Sequence, residues 1–231
     1  MRATIALPVH GGKVSLGKYW IFIAVQERIM TLSTPIPSTT TIVPPAQTGI
    51  EWLSSWEDGV AQARKLRRPI LVDVYQDNCG GCDKLDEVTF ADPQVQAAIA
   101  NRFVPVKLHL IRDREFTRQW QVFWTPTVLF GDRSGKIRYT SPNFLPPDAF
   151  LDLLDVGEAL VTMRWQGYDD AISLLTGLEN RSPEGPLTAE AIYWRGVAAY
   201  FRDGKRSKSA HAVWDELIAR FPDSIWAKRV P

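Results

Sequence analysis

The 231-residue chain has little cysteine, little histidine and no excess of either charge. It holds two cysteines and three histidines, and 27 Lys and Arg stand against 26 Asp and Glu for a formal net charge of +1. Two cysteines cannot staple a secreted scaffold, which spaces many of them widely. They are Cys79 and Cys82, and a bridge that short closes almost no loop, so it takes little entropy from the unfolded chain. The balanced charge gives no electrostatic reason to expect nucleic acid or an anionic membrane as the main partner. Long apolar runs are missing too. Tyr19 to Val25, preceded by Lys13 and Lys18, is far short of the roughly 20 residues of a membrane span. As a signal-peptide core it is at the short limit, with Gln26-Glu27-Arg28 where small residues would mark cleavage. These features lead us to expect a poorly ordered N-terminal extension, a cytoplasmic location and no membrane span. Export is the alternative if residues 1–30 act as a signal, and Met30 is an alternative start.

What is present is a globular composition, 45% hydrophobic and 23% charged, with room for one large or two small domains. Nine tryptophans must be buried or lie in a binding surface. Ser33 to Thr48 holds Pro35, Pro37, Pro44 and Pro45 among Ser and Thr and reads as an extended linker. Residues 1–50 are therefore set aside as extension and linker, and order is expected from Glu51.

Ser54 followed by Glu57 is a capping-box pattern, and Trp52, Trp56, Val60 and Ala63 recur at helical spacing. Lys65, Arg67 and Arg68 form a solvated basic end to this helix, which Pro69 stops. Ile70 to Tyr75 reads as a buried strand. Lys84 to Phe90 looks helical, and Asp92-Pro93 restarts a helix with Asp as N-cap and Pro at the first position. Phe103 to Leu110 is a second strand, Arg114 to Gln121 a short helix, Thr127 to Phe130 and Lys136 to Thr140 a hairpin around Gly131 to Gly135, and Pro147-Asp148 opens a last helix. The alternation implies an α/β fold, a sheet covered on both faces by helices. From about Val156 no strand pattern appears. Trp165, Tyr168, Ile172 and Leu175 form one stripe, Ile192, Val197, Tyr200 and Phe201 a second, and Ala210, Val213, Trp214, Leu217 and Phe221 a third. Residues 156–231 are thus expected to be an all-helical unit.

Cys79 and Cys82 stand where a buried strand meets a helix, the setting in which C-x-x-C reads as redox-active. A sulfur at a helix N-terminus faces unpaired backbone N–H groups and the positive end of the dipole. Both favour thiolate, the nucleophilic form. Cys82, one turn in, would resolve a mixed disulfide. The alternatives are an inert pair or half of a zinc site, for which His10, His109 and His211 are the other soft candidates and none has ligand spacing to the cysteines. No metal and no cofactor is therefore expected. Asp73 lies inside an apolar strand, where a carboxylate is protonated, paired or functional unless the strand end is solvated.

Ile70-Leu71-Val72-Asp73-Val74-Tyr75-Gln76-Asp77-Asn78-Cys79-Gly80-Gly81-Cys82 resembles the active-site segment of the thioredoxin family. Phe103-Val104-Pro105-Val106-Lys107 resembles the family's second core strand, and Gln119 to Thr127 the stretch leading into its cis-proline loop. The resemblance covers about 100 residues, a domain's worth, taken as 51–155. It implies a thioredoxin-like mixed sheet flanked by helices. It also implies a Lys107 near the buried Asp73, and a cis Pro126 facing the dithiol, with Thr125 and Trp124 beside it for substrate; a core Trp124 and a plain trans turn at Pro126 are the alternatives. Two positions depart from the family pattern: Asn78 replaces a Trp, and Gly81, beside Gly80, replaces a Pro. Glu87-Val88-Thr89-Phe90 and Asp92-Pro93 are similar to a functionally mixed subgroup. His109 is expected to be a strand residue with a satisfied imidazole. The tail resembles tetratricopeptide repeats weakly, in Trp165-Gln166-Gly167-Tyr168-Asp169-Asp170-Ala171, in Tyr193 to Tyr200 and in Phe221-Pro222-Asp223-Ser224. At most two such repeats are present, so the unit should pack on the first domain or on a partner. The expected function is thiol–disulfide exchange through Cys79 and Cys82, acting on a disulfide-bearing protein substrate or a thiol reductant. The alternative is a scaffold whose helical tail binds a protein partner.

Overall fold

The computed structural model describes residues 49–231; the apolar run, the linker and Met30 lie outside them. Four strands, β1 (Ile70–Tyr75), β2 (Val104–His109), β3 (Thr127–Gly131) and β4 (Ile137–Pro142), form one mixed sheet in the order β2-β1-β3-β4. β1 runs parallel to β2 and antiparallel to β3, and β3 pairs antiparallel with β4. Helices α1 (Trp56–Leu66), α2 (Gly80–Lys84), α3 (Pro93–Arg102), α4 (Arg114–Gln119) and α5 (Pro147–Met163) flank the sheet. α6 (Tyr168–Arg181), α7 (Thr188–Arg202) and α8 (Ser207–Arg220) form the C-terminal helical region.

Side chains of a strand point alternately to its two faces, and β1 is apolar on both because both are covered. Ile70, Val72 and Val74 pack with Ala63, Val106, Phe116 and Leu129. Leu71 packs on the other face with Leu85, Phe90, Ile99, Phe130 and Phe150. By the same alternation Asp73 belongs to the Leu71 face, on the side of the helix that follows the cysteines.

Two local expectations are corrected. The N-cap of α1 is Ser55, whose hydroxyl accepts the Asp58 N–H at 3.2 Å, not Ser54. Leu53 is still tied to the edge of β2, donating to the Pro105 carbonyl at 3.0 Å and accepting from Lys107 N–H at 2.8 Å, so the chain enters the helix one residue later. After the cysteines there is not one helix but α2 followed by a π-helical turn, Leu85–Thr89. Asp92 caps α3 as expected, accepting from Gln94 N–H at 2.8 Å and Val95 N–H at 3.1 Å.

α5 runs unbroken through residues 155 and 156. Its Phe150, Leu153 and Leu154 belong to the sheet core, while Val156 and Ala159 pack with Ala171, Leu175, Leu178, Ala191 and Ala198. Of the first two tail stripes, Leu175 and Ile192 are fully buried, whereas Trp165 and Phe201 are exposed; small alanines let the helices approach in their place. Ion pairs fasten α6 to α5, Arg181 reaching Asp152 and Asp155 at 2.6 Å each, and Asp155 also pairs with Arg102 of α3 at 2.6 Å. Among the described residues no helix is long and apolar enough to cross a membrane.

Candidate active site

β1 ends at Tyr75, and three residues turn the chain into α2. Asn78 holds the left-handed conformation, with φ 56°. Asn tolerates that region far better than a bulky aromatic does, which accounts for its presence before Cys79. Cys79 is the N-cap of α2, with extended backbone angles. Its carbonyl accepts from Cys82 N–H at 2.8 Å and Asp83 N–H at 3.0 Å, and its sulfur accepts from the same Cys82 N–H at 3.2 Å. The Thr125 hydroxyl donates to that sulfur at 3.4 Å. Cys79 and Cys82 are joined as a disulfide, with Cα atoms 5.2 Å apart.

The Thr125–Pro126 peptide bond is cis. It sets the Pro126 ring against Gly81: a Cβ at Gly81 would lie 2.9 Å from Pro126 Cδ. Here, then, residue 81 carries no side chain because the proline ring occupies its space. Gly80 has no atom within 4 Å of a Cβ position and opens toward solvent. The loop is braced from β4, since Asn143 N–H donates to the Pro126 carbonyl at 2.9 Å and Trp124 Nε1–H donates to Asn143 Oδ1 at 3.1 Å.

A cleft of about 250 Å³ is lined by Cys79, Gly80 and Gly81 and walled by Gln76, Leu110, Phe123, Trp124 and Thr125. Phe123 is 87% exposed and Trp124 59%, an apolar surface beside a reactive atom. Sequence reasoning assigned no role to Phe123. The available signal was a pair of large aromatics directly before Thr125-Pro126, outside any helical or strand period that would bury them.

Asp73 is opposite Lys107 in the β1–β2 register, and its Oδ2 lies 3.3 Å from Lys107 Nζ. Its Oδ1 is buried with no hydrogen-bond partner. Burial pushes the carboxyl up to about 6, against the opposing pull of the Lys107 ammonium. Burial acts to lower the Lys107 pKa, but Asp73 and the surface carboxylate of Asp86, which also accepts from Nζ, outweigh it and raise it. The result is a carboxyl that exchanges its proton close to neutral pH inside the domain that carries the dithiol. His109 is satisfied on one side only: Nδ1 accepts from Ile111 N–H and Arg112 N–H at 3.2 Å each. Its Nε2 lies 3.3 Å from Asp77 Oδ2 without hydrogen-bond alignment.

The structure thus brings Cys79, Gly80, Gly81, Trp124 and Thr125 together around one cleft, sets Cys82 beside Cys79 and Pro126 against Gly81, and pairs Asp73 with Lys107 on the sheet. Residues 56–157 match the family model of the thioredoxin-like domain. The chain carries a thioredoxin-like domain. Over 92 residues it is 30% identical to the thiol:disulfide interchange protein DsbD of Salmonella paratyphi A, covering 38% of this chain and 16% of that protein. Against the protein of the same name from Escherichia coli it is 33% identical over 72 residues, covering 30% and 13%. The chain therefore spans no more than about a sixth of the length of these curated relatives. Among solved structures it is similar to a DsbH oxidoreductase, with 16% identity, a TM-score of 0.45, and coverage of 51% of this chain and 90% of that one. A putative disulphide-isomerase from Bacteroides thetaiotaomicron shows 24% identity, a TM-score of 0.43, and coverage of 48% and 93%.

Proposed function

We propose that the thioredoxin-like domain is a thiol–disulfide oxidoreductase. One observation carries this reading: Cys79 lines an open cleft beside the exposed Phe123 and Trp124, and its sulfur accepts hydrogen bonds from a backbone N–H and the Thr125 hydroxyl. The same donors stabilise a thiolate. In the reduced protein the Cys79 thiolate attacks a substrate disulfide. A Cys79–substrate bond forms, and the substrate S–S bond breaks with release of a substrate thiolate. Cys82 then loses its proton, to Asp73 directly or through water, and attacks the Cys79 sulfur. The Cys79–Cys82 disulfide forms and the second substrate thiolate leaves, so two electrons have passed from protein to substrate; oxidation of a dithiol substrate runs the same steps backwards. Lys107 restrains the charge of Asp73, Pro126 shapes the cleft beside Gly81, and Trp124 and Thr125 flank the substrate. The exchange uses no cofactor.

The proposed partner is a disulfide-bearing protein or a thiol reductant, with the helical region from about residue 156 available to a further protein. An exported setting suits this reading better than the expected cytoplasmic one, because disulfides persist in oxidising compartments and the relatives are thiol:disulfide interchange proteins. Equilibration in glutathione buffers should show Cys79 and Cys82 interconverting as one two-electron couple. Cys82→Ser protein should accumulate reductant-sensitive adducts through Cys79, and Cys79→Ser should accumulate few. A folded protein that exchanges with no disulfide and traps no adduct would instead be the scaffold.

A further inference from the structure

Behind the cleft lies a buried group that the exchange reaction leaves unused. His109 ends β2 and is 8% exposed. Its imidazole is fixed, because Nδ1 accepts two backbone N–H groups of the turn that follows. The backbone N–H of His109 donates to Asp113 Oδ2 at 2.6 Å, and the imidazole ring meets Tyr75 edge-on with centroids 5.2 Å apart. With Nδ1 engaged as acceptor, the proton of the neutral ring is on Nε2, and that nitrogen faces Asp77 Oδ2 at 3.3 Å. Asp77 belongs to the three-residue turn that delivers Cys79, two positions before it. Both neighbours of the contact line the cleft: Gln76 precedes Asp77 and Leu110 follows His109.

We propose that His109 is a positioning residue that couples proton uptake to the redox state of the Cys79–Cys82 pair through Asp77. This rests on the exchange reading above and adds a regulator to the same site. The charged groups around the contact are few. The Arg112 guanidinium lies 3.7 Å from Asp77 Oδ1 and donates to the Tyr75 hydroxyl at 3.0 Å. Asp113 holds the His109 backbone, and Lys107 Nζ lies over the Tyr75 ring at 5.2 Å. With His109 neutral, the cation that offsets the Asp77 charge among the described residues is the exposed Arg112. With His109 protonated, a buried cation stands against Asp77 at 3.3 Å, and the turn before Cys79 loses net negative charge. A less negative surrounding favours the Cys79 thiolate. Linkage is reciprocal, so forming the thiolate must favour the proton on His109.

The test reads that proton directly. The 231-residue chain has three histidines, and their imidazole C–H resonances are assigned with His109→Gln. Titration by NMR in the oxidised and the reduced protein should place the His109 midpoint higher in the reduced one by about half a pH unit, a roughly threefold change in proton affinity, while His211 stays put. Asp77→Asn, at an exposed side chain, should lower the His109 midpoint in both states, because it removes the carboxylate that faces Nε2, and keep the fold. Asp73→Asn should leave the difference in place. Coincident midpoints in the two states, or a His109 midpoint that Asp77→Asn leaves unmoved, would overturn the proposal. A glutathione titration of the same samples separates the two ideas. If the couple forms and breaks normally while the midpoints coincide, only the role of His109 falls. If no exchange occurs, the reading of the site falls with it.

Discussion

A solvated carboxyl like that of Asp73 gives up its proton near 3.8, whereas inside β1 burial holds it to about 6. That difference fixes a dependence of stability on pH. Between these values the folded chain keeps a proton that the unfolded chain has lost. Asp73 therefore adds to stability below about pH 4, and the contribution is lost as pH rises through 6. Asp73→Asn should stabilise the protein at pH 7.5 by about 2–3 kcal/mol, two pH units at about 1.4 kcal/mol each. The gain should fade toward pH 4, as read from urea midpoints at both pH values. The same variant should slow exchange. An equal gain at both pH values would show that the carboxyl is not shifted. Asp73, Cys79 and Cys82 were legible in the sequence because each is a residue type that an apolar strand or its end does not otherwise hold. The His109–Asp77 contact was not, because it depends on how two strand ends are laid side by side.

Secondary structure was legible where local chemistry and burial agree. β1 is bounded by Pro69 and the cysteine turn, and α3 opens on Asp92-Pro93, so both were readable from sequence. The π-helical turn at Leu85–Thr89 was not, since it arises where α2 must turn Leu85 and Phe90 into the sheet core together. Nor was the role of Gly157, which looks in sequence like a flaw in a helix. It lets α5 lie on β3: a Cβ there would meet the Phe130 ring at 2.2 Å. Gly157→Ala should thus destabilise by about 1–3 kcal/mol through overpacking, despite the better helix propensity of Ala. Gly177, in α6, has nothing within 4 Å of a Cβ position, and Gly177→Ala should be neutral or stabilising by up to about 1 kcal/mol. Denaturant midpoints of the pair decide it; equal shifts of one sign would mean that propensity, not the Phe130 contact, governs both.

At the scale of the whole molecule, the expected division at residues 155 and 156 falls inside one helix that serves both cores. Val161, on the far side of that division, packs with the sheet core, and Asp155 is the partner of Arg102 on α3. Tyr139 of β4 donates to Glu190 of α7 at 3.0 Å. A boundary read from composition missed this because both halves of α5 are apolar and nothing in the pattern marks a change of partner. A chain ended after Leu154 would lose the last turns of α5, the Val161 contact and the carboxylate facing Arg102, and would leave Phe150 and Leu153 on a frayed helix end. A chain ended after Gln166 keeps all of α5 and loses α6 to α8, which bares Val156 and Ala159 and leaves the buried Asp152 without Arg181. Removing one partner of a buried ion pair costs about 3–5 kcal/mol, less here because Arg181 is itself 43% exposed. We therefore expect the 1–166 chain to fold with a lowered urea midpoint and to keep exchange with a small disulfide. The 1–154 chain should show neither a cooperative melt nor protection of its dithiol from rapid alkylation. Should the 1–154 chain melt cooperatively at the midpoint of the intact protein, the helical region would be an independent attachment, and the ion pairs and shared helix that join it to the sheet would contribute nothing to the stability of the site.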